Sequence, residues 1–250
     1  MGKRLVIFFF LIVIPLSKVL AQSDSGYQIS STTSEAMANA VNLYETAIGK
    51  NSGIYIGSYY YDKNYWAIGG DPFFVNNYWN EGTIIYEGQQ YDSISIRYDI
   101  YRDLLLIKHI DKNGHVVPIQ LHKSKVEEFI IMGHHFIYTK EDTLSGIKTG
   151  FLDLLYIGEK AKVLAKRRKE ISRTQIANDI VRGYFVNDRF YIKKDQNYYE
   201  VKGKKSLLEV LSDEKNEIKA FLKENRALYK KNRERQLVES VQYYNSIVNN

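Results

Sequence analysis

Between Ile54 and Lys166 the chain offers no stretch that could bury one face as a long helix. Short runs rich in Tyr, Ile, Val and Phe alternate instead with Gly, Asn and Asp. Such runs read as strands separated by turns. They cover Ile54–Tyr61, Tyr65–Gly69, Thr83–Glu87, Asp92–Tyr101, Leu104–Ile110, Val116–Leu121, Val126–Met132, His135–Thr139, Gly150–Ile157 and Lys162–Lys166. Turns are expected at Asp62-Lys63-Asn64, Glu87-Gly88-Gln89 and Asp111-Lys112-Asn113-Gly114, the last a strong hairpin signal because Asn-Gly tolerates positive φ. With no helical pattern between strands, a parallel α/β sheet is excluded and an antiparallel meander is expected. The fold class expected is α+β, mainly β: a curved sheet or a barrel, with an N-terminal helix and C-terminal helices.

The flanks read differently. Thr32-Thr33-Ser34-Glu35 matches a capping box, and Met37, Val41, Tyr44 and Ile48 then share one helical face up to Gly49. After the strands, Arg167-Arg168-Lys169 reads as a basic linker followed by a polar stretch to Arg182. Tyr184–Val186, Arg189–Lys193 and Tyr198–Val201 are further strands. From Ser206 the reading is helical: Leu207, Leu208 and Leu211 in a short helix, then a helix capped by Ser212 and Asp213 with Ile218, Phe221 and Leu222 apolar. A last helix carries Leu237, Val241, Tyr244 and Val248 on one face.

The N-terminus constrains location. Lys3 and Arg4 precede an uncharged apolar run, Leu5 to Leu16, and Val19-Leu20-Ala21 fits a signal-peptidase site. That run is far short of the roughly 20 residues a membrane span needs. The domain plan is a signal peptide over 1–21, a flexible Ser/Thr-rich leader over 22–34, a helix plus β-rich domain over 35–203, and a basic helical segment over 204–250 packed on it. Without cysteine there is no disulfide, so the exported chain rests on its apolar core. Charge divides along the chain: residues 22–157 hold 10 basic and 16 acidic residues, residues 158–250 hold 22 and 13.

The segments Gly69-Gly70-Asp71-Pro72-Phe73-Phe74, Tyr78 to Asp103, Leu154 to Leu164 and Lys204 to Asn225 resemble an uncharacterised family of exported Gram-negative envelope proteins. In that family a β-rich region precedes a charged helical segment ending near a Tyr-Tyr-Asn, here Tyr243-Tyr244-Asn245. The resemblance implies fold and an exported, periplasmic or outer-envelope location. It implies no activity and carries no catalytic residue.

Candidate chemistry is thin. His134 and His135 are adjacent in a strand and point to opposite faces, so both cannot hold one metal. His109, His115 and His122 flank the Asp111–Gly114 hairpin without the ligand spacing of a zinc site. Asp99 and Asp103 would lie about 13 Å apart on a continuous strand, beyond glycosidase distances, unless the chain bends between Ile100 and Leu104. Arg97, Asp99, Arg102 and Asp103 are then expected in ion pairs and turn hydrogen bonds. There is no Gly-x-Ser-x-Gly elbow, cysteine nucleophile or phosphate-binding glycine loop.

The expectation is an exported, non-catalytic envelope protein without metal or cofactor, binding another envelope component: a protein, a glycan or an anionic lipid surface. An envelope hydrolase with an unrecognised site is the alternative, and nucleic acid is disfavoured by export. Tyr59, Tyr60, Tyr61, Trp66 and Trp79 are the candidate ligand platform, because Tyr and Trp join an apolar body to a polar tip. Lys219, Lys223, Lys230, Lys231, Arg233 and Arg235 are the candidate contacts to an anionic surface. Export should remove residues 1–21 and leave Gln22 first. Intact-mass analysis of the exported protein checks this, and a membrane-bound species retaining Met1–Ala21 contradicts it.

Overall fold

In the computed structural model, residues 53–61, 69–141, 147–176, 179–226 and 232–248 are described, beside Ala36. The chain divides into two units, residues 1–49 and 50–250, and the strands and C-terminal helices all belong to the second. The signal peptide, the leader, the helix expected over Ser34 to Gly49 and all but the last residue of the strand expected at Tyr65–Gly69 lie outside the described residues, Ala36 apart.

Thirteen strands are described: β1 (Ser58–Tyr59), β2 (Asn80–Tyr86), β3 (Gln89–Asp99), β4 (Leu104–Ile110), β5 (Val116–Gln120), β6 (Val126–Ile131), β7 (His134–Thr139), β8 (Gly150–Ile157), β9 (Ala161–Lys166), β10 (Lys169–Ile176), β11 (Asp179–Val186), β12 (Arg189–Lys194) and β13 (Asn197–Glu200). Helices α1 (Lys204–Val210), α2 (Lys215–Glu224) and α3 (Arg233–Val248) come after them. Eleven strands form one antiparallel sheet in the order β1-β5-β4-β3-β2-β6-β7-β8-β9-β12-β13, while β10 and β11 make a separate two-stranded ribbon.

Local sequence explains the hairpins. Glu87 and Gly88 both adopt positive φ between β2 and β3, as do Met132 and Gly133 between β6 and β7, and Asp195 and Gln196 between β12 and β13. Two successive left-handed residues form the turn whose twist matches that of paired strands. Between β4 and β5, Asp111 Oδ1 accepts the amides of Asn113 and His115 at 2.8 Å each, which holds the Asn-Gly turn.

The sheet curls without closing. Tyr98 of β3 and Phe151 of β8 are four strand spacings apart, about 19 Å on a flat sheet. Their ring centroids are 5.8 Å apart, so the sheet wraps its concave face around an aromatic core. Phe129 and Phe136 stack there at 4.8 Å, and Phe74 meets Phe136 edge-on at 5.2 Å. No pairing joins β1 to β13, so of the two forms expected, the curved sheet is present and the barrel is not. The segment Gly69–Phe74 runs past the end of β3: Ile100 N–H donates to Pro72 O and Phe74 N–H to Tyr98 O.

A second core lies under the helices. Val163 and Ala165 of β9 and Phe190 and Ile192 of β12 pack against Leu207, Leu211, Ile218, Leu222, Leu237, Val241 and Tyr244. Asn245 of α3 pins the helix to the β8–β9 turn. Its Oδ1 accepts the amides of Lys160 and Ala161, and its Nδ2 donates to the carbonyls of Ala161 and Val241.

Three sequence readings are corrected. Ile54–Tyr61 is a 3-10 turn at Gly53–Tyr55 and a two-residue strand, because the Ile54 side chain is drawn wholly into the core. The linker and polar stretch from Arg167 to Arg182 are mostly the β10–β11 ribbon, whose strands pair with each other over eight register positions. Ser212 and Asp213 do not cap α2. They form a 3-10 turn with Glu214, and the Asp213 carboxylate accepts from Lys194 at 2.7 Å and from the Tyr244 hydroxyl at 2.6 Å.

The alternation of β6 gives a direct test. Phe129 is buried at 1% exposure and Ile130 beside it is 45% exposed. Phe129→Ala should cost about 3–5 kcal/mol and Ile130→Ala within about 0.5 kcal/mol, measured by urea denaturation.

Candidate functional site

The turn between β3 and β4 carries the first polar centre. Asp99 Oδ1 accepts the amides of Tyr101 and Arg102, its Oδ2 accepts the Tyr60 hydroxyl at 2.9 Å, and Arg102 lies 3.9 Å away. Burial nevertheless raises the Asp99 carboxyl above its ordinary range, outweighing those contacts. The bend so made places Asp103 at φ 61°, and Asp99 and Asp103 serve separate networks.

Asp103 accepts the Tyr98 hydroxyl at 2.5 Å, Lys123 Nζ at 2.8 Å and Lys166 Nζ at 2.7 Å. Burial would raise this carboxyl, but Lys166 and Lys123 together hold it below the ordinary range. Burial in turn lowers the Lys166 ammonium more than Asp103 restores it. Gly150 is required beside this pair, since a Cβ there would collide with the Asp103 carboxylate.

The second centre is Arg167, directly after β9 and only 7% exposed. It meets Asp153 of β8 at 2.7 Å, Asp188 of the β11–β12 turn at 2.8 Å and Glu234 of α3 at 2.6 Å. Burial opposes its charge, but Glu234, Asp188 and Asp153 outweigh burial and raise it. His134 Nδ1 lies 2.8 Å from the same Asp153 oxygen, while Asp153 Oδ1 is buried without a hydrogen-bond partner.

Beside the Asp103–Lys166 pair opens a cleft of about 310 Å³, where the ribbon leaves the sheet. Its walls are Ile100, Tyr101 and Asp103 of the β3–β4 turn, Ile147 and Lys148, Leu152, Lys166 with Arg168 to Glu170, and Arg189 with Tyr191. Five cations (Lys148, Lys166, Arg168, Lys169 and Arg189) face two carboxylates, Asp103 and Glu170. Lys166 is bound to Asp103 and to Phe151 O, Lys169 to Asp71 and Phe73 O, and Arg168 to Glu170. Arg168 is lowered first by burial and then by the neighbouring charge of Arg189.

The residues singled out from sequence are dispersed. Tyr59 and Tyr61 are exposed, but Tyr60 is held by Asp99 and packs 6.3 Å from Phe73. Trp79 lies 4.0 Å beneath Arg97, which also covers Phe73 at 5.1 Å, so Tyr60 and Trp79 belong to a packed chain of rings and guanidinium. Trp66, Lys230 and Lys231 lie outside the described residues. Lys219 and Lys223 are exposed on α2. Arg233 donates to Val201 O and covers the Phe190 ring, and Arg235 pairs with Glu239 at 2.6 Å. Arg233 is therefore tied to β12 and the chain after β13, while Arg235 keeps an exposed pair on its own helix. His134 and His135 do face apart, the latter on Glu128 at 2.9 Å. Among the described residues no group of three or more His, Cys, Asp or Glu could hold a metal ion.

Sequence reasoning missed Arg167, Arg168, Arg189, Lys148 and Tyr191. The available signal was four consecutive cations, Lys166 to Lys169, at the junction of two strand-forming runs, a place where a solvated linker is costly to anchor. Comparison of this chain with family models, with curated proteins and with solved structures gives no match.

The lowered Asp103 carboxyl makes stability pH-dependent. Its contribution is present above the ordinary aspartate value of 3.8 and is lost as pH falls below that toward the depressed folded value. Asp103→Asn should cost about 3 kcal/mol at pH 7, because it strands two partly buried lysines, and should flatten that acid limb. Denaturation at pH 7 and between pH 5 and about 2 checks both.

Proposed function

We propose that this chain is an exported, non-catalytic binding module of the Gram-negative envelope that receives an anionic envelope component in the cleft between the β3–β4 turn and β9–β12. The observation that carries the reading is the imbalance of that cleft, five cations against two carboxylates in a concave space of about 310 Å³. That volume lies at the small end of ligand pockets, which run from about 300 Å³ upward. Concave walls of low dielectric concentrate the field of such a surplus and raise the local concentration of anions.

Neither polar centre is arranged for turnover. Asp103 is held by two ammonium groups and a hydroxyl, and Arg167 by three carboxylates, so each charge is already answered within the fold. Export forms part of the same proposal and rests on Met1 to Ala21 and on the resemblance to envelope proteins.

Titration calorimetry and amide shift mapping with inorganic phosphate, citrate and maltose test the reading. Phosphate and citrate should bind and shift amides lining the cleft, maltose should not, and Arg189→Gln should weaken both anions at least fivefold. Absence of anion binding at 50 mM salt, where screening is weak, contradicts it.

A further inference from the structure

The cleft floor is apolar in a way that the two main cores do not explain. Ile147, Leu152, Leu164 and Tyr191 form a small cluster of their own, separate from the aromatic core and from the core beneath the helices. Three of its four members, Ile147, Leu152 and Tyr191, reach the cleft. Tyr101, 39% exposed and edge-on to Tyr184 at 5.4 Å, stands at its rim. A surface meant only for small inorganic anions gains nothing from such a floor, whereas an apolar body set on it leaves water favourably.

The cationic side is equally specific. Lys166, Lys169 and Arg168 have carboxylate partners, whereas Arg189 and Lys148 pair with no carboxylate among the described residues, and Arg189 is hydrogen-bonded to Tyr191 on the cleft floor. Arg189 stands close enough to disfavour the charge of Arg168, and an oxyanion between them would relieve that repulsion. Two cations left without a carboxylate answer a dianion better than a monoanion.

Resting on the anion-binding reading above, we infer that the cleft takes a phosphate monoester carried on a compact apolar or aromatic body. The phosphate sits at Arg168, Arg189 and Lys148, and the body lies over Ile147, Leu152 and Tyr191 with Tyr101 at its edge. Arg presents parallel N–H groups that match phosphate oxygens, and the apolar floor supplies what phosphate alone cannot use.

Isothermal titration of the full chain with phenyl phosphate, methyl phosphate, benzoate and benzyl alcohol tests this. Phenyl phosphate should bind at least tenfold more tightly than methyl phosphate and than benzoate, with benzyl alcohol weakest. Tyr101→Ala should shrink the phenyl advantage, and Arg189→Gln should weaken both phosphates. Equal binding of phenyl and methyl phosphate overturns the apolar body while anion binding stands. Benzoate binding as well as phenyl phosphate overturns the dianion, and benzyl alcohol doing so overturns the charge requirement. Failure of every anion overturns the reading beneath it as well.

Discussion

The ion cluster around Arg167 organises the junction of the sheet, the β10–β11 ribbon and the last helix. Immediately after β9 the chain stops running with the sheet and departs into the β10–β11 ribbon, and Arg167 is the residue at that departure. Its guanidinium ties the sheet through Asp153, the returning chain through Asp188 and the last helix through Glu234. Burying that many charges is expensive, and removing one partner of a buried group typically costs about 3–5 kcal/mol because the others are left uncompensated. Packing of α3 through Leu237, Val241 and Tyr244 supplies the attraction between helix and sheet, while the cluster dictates where the ribbon leaves.

The cleft is a consequence of that departure. A continuous β9 would have carried Arg168 and Lys169 along the sheet. Diverted, they face the β3–β4 turn, with Lys169 N–H donating to Ile100 O and its Nζ reaching Asp71 and Phe73. Asp103 closes the same corner from the other side by holding Lys166. Function in this account therefore lives on a seam between sheet and ribbon, and the β strands around the aromatic core act as its rigid support.

The strands of the main sheet were legible because their alternation is set by one buried face. Leu104–Ile110 and Gly150–Ile157 are found where the pattern of β-branched and aromatic residues puts them, and the Asn-Gly turn does what its conformational preference requires. Of the ribbon only the end, Tyr184–Val186, was legible, because Lys169 to Arg182 shows little apolar alternation. Arg167 escaped for a related reason. A cation between strands reads as solvated, and only the convergence of Asp153, Asp188 and Glu234, 14, 21 and 67 residues away in sequence, turns it into a buried anchor. Tyr60 and Trp79 were recognised as distinctive, but their partners Asp99 and Arg97 make them parts of the fold. The cleft itself assembles five separate chain segments, and no local pattern records such an arrangement.

Arg167 compensates buried carboxylate charge and thereby holds the seam together. Equilibrium denaturation of Arg167→Met, Asp153→Leu and the double variant measures this most directly. Arg167→Met should lose about 3–5 kcal/mol, and adding Asp153→Leu should restore a substantial part of the loss, since that stranded carboxylate is then gone. Wild-type stability in Arg167→Met, or a double variant no more stable than the single, would contradict it.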